Sequence, residues 1–279
     1  MLDHDLKNLI RERYDEFVRR GGFKDFRSPD IGGAGVGIVG QRLYEPEEVC
    51  LVPRSAFYYS MGCTTPTRFI DMRPGEAVLD IGCGIGIDVI LAAHKVGPKG
   101  KVIGVDLSPL MIERAREVIA EAGLQRFNVE LLVADMEKLP LPSNLVDVVI
   151  SNGAINQSLD KYAVYREAYR VLKPGGRMAI ADIVLTEKLD PELQKIFRCN
   201  WSGCLGAGME EKEYLRAVGE AGFEHVEVFA RRLLSREELE VMVSCPVREL
   251  TPPLQREHFE AVQGKVASIK FRAIKPLQN

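Results

Sequence analysis

Apolar positions recur along the chain with two different periods, and the change from one to the other marks out its elements. Leu2, Leu6, Leu9, Ile10, Tyr14, Phe17 and Val18 fall near a 3.6-residue period among charged neighbours, which predicts an amphipathic packing helix over 1–20. The glycines of 32–40 break that pattern and predict a loop, either a plain linker or a lid. A short helix-rich lead-in follows from about 45. From 76 onward, apolar runs of strand length alternate with helical periodicity. Strands are predicted at 77–81, 101–105, 129–133, 145–151 and 177–184, and helices at 87–96, 109–121 and 160–172.

Strands and helices joined by turns of a few residues imply right-handed crossovers and a parallel sheet covered on both faces. The predicted fold class is therefore α/β: a Rossmann-like, doubly wound, mostly parallel sheet with helices on both faces, plus a smaller C-terminal α+β segment. In that segment helices are predicted at 190–201, 212–220 and 235–243, and strands at 225–229 and 268–274. Three regions result: an N-terminal helix and glycine-rich loop over 1–57, an α/β domain over 58–185, and a region over 186–279 expected to cap the active-site end of the sheet.

Composition narrows the choice of partner. A chain of 279 residues, 46% hydrophobic and 28% charged, can bury a sizeable core without disulfides. No apolar run reaches the roughly 18 residues of a spanning helix. The polar, acidic start lacks the order of a secretory leader, so a cytoplasmic protein with no membrane partner is expected. Lys plus Arg (37) nearly balance Asp plus Glu (40) for a net charge of -3, which favours a small-molecule substrate over nucleic acid. The six cysteines show no Cys-x-x-Cys pair and no zinc-ribbon spacing, so no metal site is expected.

The strand at 77–81 runs into Gly82-x-Gly84-x-Gly86 before a helix, a turn that lets backbone approach a ligand where side chains would collide. Such a pattern alone also fits a tight turn with no ligand. Asp106 ends the next strand, twenty residues beyond Gly86, where a carboxylate can take both hydroxyls of an adenosine ribose. Ala134-Asp135-Met136 follows the third strand, and an acid there can accept the adenine amino group or simply be a solvated loop carboxylate. Acids at three successive strand ends favour the ligand reading.

Segments 78–86, 102–108, 134–140, 147–152 and 171–176 resemble the successive motifs of class I S-adenosylmethionine-dependent methyltransferases, and the resemblance covers about 60–185. It implies S-adenosylmethionine as cofactor and makes 58–185 the domain that binds it. Asp80, Gly82, Gly84 and Gly86 would hold the methionine part, with Cys83 a compact filler inside the turn. Asp106 would hold the ribose, Leu107 and Met111 would lie against adenine, and Asp135 and Met136 would read its edge. Asn152, closing the fourth motif, joins the cofactor set. Lys173-Pro174-Gly175-Gly176 is expected to be a turn before a strand.

Within that family the chain is similar to arsenite methyltransferases at Ser60-Met61-Gly62-Cys63-Thr64-Thr65-Pro66, at 96–106, at 150–161 and at Gly203-Cys204-Leu205-Gly206-Ala207. The resemblance implies that Cys63 and Cys204 hold trivalent arsenic as thiolates, because a soft centre prefers sulfur. Both could instead be small buried hydrophobes. The family's central cysteine is replaced by Gly153, so a three-thiolate site from the customary positions is not expected. Cys199, Cys50 and Cys245 are weaker candidates. Tyr58, Tyr59 and Trp201 flank the retained cysteines, as core or as rings against a sulfonium. The rival readings are a carbon or oxygen methyltransferase of a quinone, lipid or other small metabolite, an NAD-dependent oxidoreductase lacking any evident Tyr-x-x-x-Lys pair, and a non-catalytic binding module.

Overall fold

The computed structural model describes residues 3–22, 43–199, 207–243 and 255–277. Its centre is a seven-stranded sheet in the order β3-β2-β1-β4-β5-β7-β6. The strands are β1 (Ala77–Ile81), β2 (Lys101–Asp106), β3 (Asn128–Val133), β4 (Val146–Asn152), β5 (Leu172–Leu185), β6 (Glu224–Leu233) and β7 (Val266–Ile274). The first five are parallel to one another, and β7 runs antiparallel between β5 and β6. The alternation of the sequence thus becomes the doubly wound sheet it predicts.

Residues of β1 and β4 are almost all buried, as strands covered on both faces must be. One face carries α3 (Ile87–Val96) and α4 (Pro109–Glu121), whose Ile90, Leu91 and Ile112 pack with Val78, Val148 and Ile150. The other carries α5 (Lys161–Val171) and α7 (Glu211–Glu220), whose Tyr165, Ala168 and Tyr214 meet Leu79, Val149 and Phe271. Around this core lie α1 (Asp3–Arg19), α2 (Pro46–Val49), α6 (Pro191–Cys199), α8 (Arg236–Val243) and α9 (Arg256–Val262), with 3-10 turns at Arg54–Tyr59 and Pro66–Arg68 among the connections.

Helix α9 has no counterpart in the sequence reading, and β6 and β7 are each longer than expected. The expected turn at Lys173-Pro174-Gly175-Gly176 lies within β5. Leu172 pairs with Val146 and Arg177 with Val148, so the intervening chain bulges from the β4 ladder, while Gly175 and Gly176 exchange hydrogen bonds with Lys275. The C-terminal region adds both its strands to the same sheet. The glycine-rich stretch 32–40, Trp201, Cys204 and Cys245 lie outside the described residues, as does the side chain of Cys199.

Candidate active site

A cleft opens at the C-terminal ends of β1, β2, β3 and β4, where parallel α/β sheets leave room for a ligand. Its floor is the turn from β1 into α3. Gly82 and Cys83 donate to the Val105 carbonyl at 2.8 and 2.9 Å, and the Gly84 N–H donates to Asp106 Oδ2 at 2.9 Å. Gly82 has φ 73° and its absent Cβ would stand 2.1 Å from Ala154 Cβ, so only glycine fits. At Gly84 a Cβ would meet nothing within 4 Å, since that position faces the open cleft. Cys83 is buried, and burial pushes its thiol up, in keeping with a filler. Gly86, at φ 87°, caps the start of α3 without lining the cleft.

Asp106 is held by Ser108 as well, whose N–H donates to Oδ1 at 2.9 Å. Burial pushes this carboxyl up while its backbone donors pull it back. Ser108 in turn caps α4 by accepting from Met111 N at 3.0 Å, so the cap that starts the helix also aims Leu107 and Met111 into the cleft. Asp135 and Met136 line the same end.

Helix α1 forms a wall that sequence reasoning treated as packing alone. Its Lys7 ammonium lies 2.7 Å from Asp135 Oδ2 and also pairs with Glu137. Its Asp15 accepts from Ser108 Oγ at 2.5 Å. Phe17 is buried edge-on against Tyr59 with ring centroids 5.9 Å apart. Glu137 further accepts from Ser158 Oγ and from the N–H groups of Leu159 and Asp160, tying β3's end to the loop after β4.

Across the cleft from Asp106 and Asp135, β4 ends at Asn152. Its Oδ1 accepts from Cys63 N at 2.7 Å and Thr64 N at 3.3 Å, while its Nδ2 donates to Thr64 O and, at 2.9 Å, to Asp88 Oδ2. Asn152 lines the cleft, but these bonds make it the clamp that positions the Cys63 segment. Cys63 is half-buried at the cleft wall. A Cβ built on Gly153, at φ 70°, would lie 3.5 Å from Cys63 Sγ, so the substitution seen in the sequence falls directly beside the retained thiol. Beyond it, Phe69 packs against Phe229 at an interplanar angle of 55° with centroids 5.0 Å apart, and the Lys270 ammonium lies 5.2 Å from the Phe69 ring centroid. Lys270 is pulled down by burial, then by Arg232 and Arg68, with Cys63 opposing.

Two buried acids lie at and behind the floor. Asp80 is buried behind the turn with Oδ2 lacking any hydrogen bond, and burial, then Asp88 and Asp106, push it well above the carboxylate range. Asp88 is the second residue of α3 and was not singled out in the sequence. Its Oδ1 is likewise without a partner, and burial pushes it up to about 7, with Asn152 opposing. The available signal was an acid within the otherwise apolar run Ile87-Asp88-Val89-Ile90-Leu91. Acidic strand ends, an open glycine turn and unanswered acceptors fit a cationic adenosyl ligand. No group of three metal-ligating side chains occurs among the described residues.

A family of methyltransferase domains matches residues 72–222. The chain is 40% identical over 239 residues to arsenite methyltransferase of Halobacterium salinarum, covering 80% of this chain and 59% of that protein. It thus spans less than two thirds of that relative. A demethylmenaquinone methyltransferase of Listeria monocytogenes is 39% identical over 115 residues, 41% of this chain and 48% of its own length. Among solved structures, an arsenic(III) S-adenosylmethionine methyltransferase from Chlamydomonas reinhardtii superimposes with a TM-score of 0.68 at 28% identity, covering 84% of this chain and 75% of that one. With the matched domain taking in the cleft floor and more than half of the chain, the protein belongs to the methyltransferase-domain family.

Proposed function

We propose that this protein transfers a methyl group from S-adenosylmethionine to trivalent arsenic bound at Cys63. The observation that carries this reading is the arrangement of the cleft, with the glycine turn, Asp106 and Asp135 on one side and the Cys63 thiol on the other. The arsenite methyltransferases to which the chain is similar support the choice of acceptor. When bound, the cofactor supplies an electrophilic methyl on a sulfonium. Gly82 and Gly84 let the backbone approach the methionine part, Asp106 takes the ribose, and Asp135 with Met136 takes the adenine edge. Asn152 fixes the Cys63 segment, and Cys63 presents the soft acceptor with its lone pair toward the methyl. No general base is required, so alignment and exclusion of water carry the rate. Residues 186–279 act as the acceptor-side cap of this domain, with Cys204 as the second thiolate.

The test is methyl transfer by the purified protein from S-adenosylmethionine to arsenite in the presence of excess thiol. Cys63→Ser should lose turnover by about a hundredfold or more while binding S-adenosylhomocysteine as before. An unaltered rate in that variant would remove Cys63 from the mechanism.

A second reading, carbon or oxygen methylation of a small metabolite, is favoured by Gly153, which leaves Cys63 without the neighbouring family cysteine, and by the apolar wall of Tyr44, Tyr59 and Met61. Turnover of a quinol with none of arsenite would select it.

A further inference from the structure

Among the apolar side chains that β5 turns toward α5 and α7 stands a carboxylate. Asp182 follows Ala181 on β5, shares its face with Ile180 and Val184, and has no exposed surface. A buried charge is costly unless donors answer it, and here three do. The Asn156 N–H and the Tyr214 hydroxyl both donate to Oδ2 at 2.7 Å, and the Ile183 N–H donates to Oδ1 at 2.8 Å. An ionised carboxyl accepts at both oxygens, whereas a protonated one must turn one of them into a donor. Backbone N–H groups can only donate, so this convergence matches the ionised form.

The Asn156 N–H belongs to a 3-10 turn, Ile155–Gln157, in the loop after β4. Just before the turn the Gly153 N–H donates to the Ala181 carbonyl at 2.8 Å, and just after it Lys161 reaches from α5 to the Ser158 carbonyl at 3.0 Å. Asp182 bonds the middle of the turn to the sheet. On its other side the loop presents Ala154, Gln157 and Ser158 to the cleft. Ala154 abuts Gly82 so closely that a Cβ added there would stand 2.1 Å from it. Any shift of the turn away from β5 therefore moves the wall that faces the glycine turn. Burial pushes Asp182 up to about 6, opposed by Tyr214, Ile183, Asn156 and then Lys161, so its charge is present at neutral pH and lost in mild acid. Tyr214 of α7 and Tyr165 of α5, both pushed up by burial, stay neutral beside it.

Resting on the cofactor reading above, we propose that Asp182 is a positioning residue for methyl transfer: its carboxylate draws the Ile155–Gln157 turn against β5 and α7 and so fixes the cleft wall over the glycine turn. Asp182 does not itself line the cleft, and it acts through the loop. Because Tyr214 belongs to α7, the acceptor-side cap and the wall of the cofactor seat share this anchor. Protonation leaves a neutral acceptor, about half as strong toward an N–H, and the turn is then held less firmly.

Asp182→Asn keeps the shape of the side chain and removes its charge, and two measurements on the full chain separate positioning from a structural role. At pH 8, hydrogen exchange read by mass spectrometry should be about fivefold faster or more in the variant over residues 153–159, and within about twofold over β1 and β2. In isothermal titration the variant should bind S-adenosylhomocysteine about fivefold more weakly than the natural protein at pH 8, but within about twofold at pH 5, where the natural carboxyl is itself protonated. Tyr214→Phe leaves the carboxyl with one donor fewer, which raises it further. That variant should match the natural protein within about twofold at pH 9 and bind about threefold more weakly at pH 7. A loss of affinity that is the same at pH 8 and pH 5 would make Asp182 a structural residue and overturn the proposal. Unaltered exchange over 153–159 would do so too. If Asp182→Asn does not fold, a Tyr214→Phe profile parallel to the natural one decides against the proposal. Failure of the natural protein to bind S-adenosylhomocysteine, with exchange changed as expected, would strike the cofactor reading alone.

Discussion

A methyl added at Gly82 would stand 2.1 Å from the methyl of Ala154 on a backbone already at φ 73°, so two independent penalties meet at one atom. The left-handed conformation alone costs a side chain about 1–2 kcal/mol, and the overlap must push β4's exit loop away from the turn. Gly82→Ala should therefore lose more than about 2 kcal/mol of stability and most cofactor affinity, whereas Gly84→Ala, at φ 52° but with open space for its methyl, should lose only the conformational part and melt higher than Gly82→Ala. Paired thermal melts and titrations with S-adenosylhomocysteine decide the matter, and equal melting points for the two variants would contradict it. Residues like these are legible in a sequence because turn chemistry is local. Asp106 and Asp135 were legible too, being acids placed just where apolar runs end. Asp88 was not, since its burial and its bond to Asn152 on β4 are set by tertiary packing. Asn152 was read as a cofactor residue, and only tertiary structure reveals that its amide is engaged by Cys63, Thr64 and Asp88.

At the scale of elements, α1 is the instructive case. Its apolar stripe predicts a packed helix and nothing about where it packs, because a stripe looks the same against any surface. In the structure it crosses the cleft rim, fastened by Lys7 to Asp135 and Glu137 and by Asp15 to Ser108. Lys7 and Asp135 are 26% and 33% exposed, so these pairs contribute little to global stability but can govern how often the wall swings aside. Lys7→Ala should leave the melting point within about 2 °C while releasing S-adenosylhomocysteine several-fold faster in stopped flow. Raising ionic strength should speed release from the natural protein and have little further effect on the variant. Identical salt dependence in both would show that the pair does not hold the wall. The crossover helices, by contrast, were readable almost to the residue, since buried parallel strands write continuous apolar runs and α3, α4 and α5 start from Gly86, Ser108 and Asp160, residues that favour a helix start.

For the molecule as a whole, raised acids set the direction in which pH acts. Asp88 is pushed to about 7 and Asp182, buried behind Tyr214 and Asn156, to about 6, both from an ordinary value of 3.8. Each binds its proton more tightly folded than unfolded. Their contribution to stability is complete below about pH 4, declines as pH rises through the interval to 6 or 7, and is flat beyond. Glu48, Glu137 and Glu167, held below the usual range, act with the opposite sign but only under about pH 4.5. Melting points of the cofactor-free protein should accordingly fall between pH 5 and 7 and level off above, more steeply in the natural protein than in Asp88→Asn. A cofactor-free melting point that climbs over that range would contradict these assignments.

The same sheet that seats the cleft also has an order of assembly built into it. Strand β6 touches the sheet only through β7, which follows it in sequence, so this flank closes backwards. A ribosome would deliver Phe229 and Leu233 before the strand that gives them a hydrogen-bonded neighbour. During that interval the finished parallel half would carry a loose, partly greasy ribbon, and chaperone capture or mispairing with another nascent chain should concentrate there.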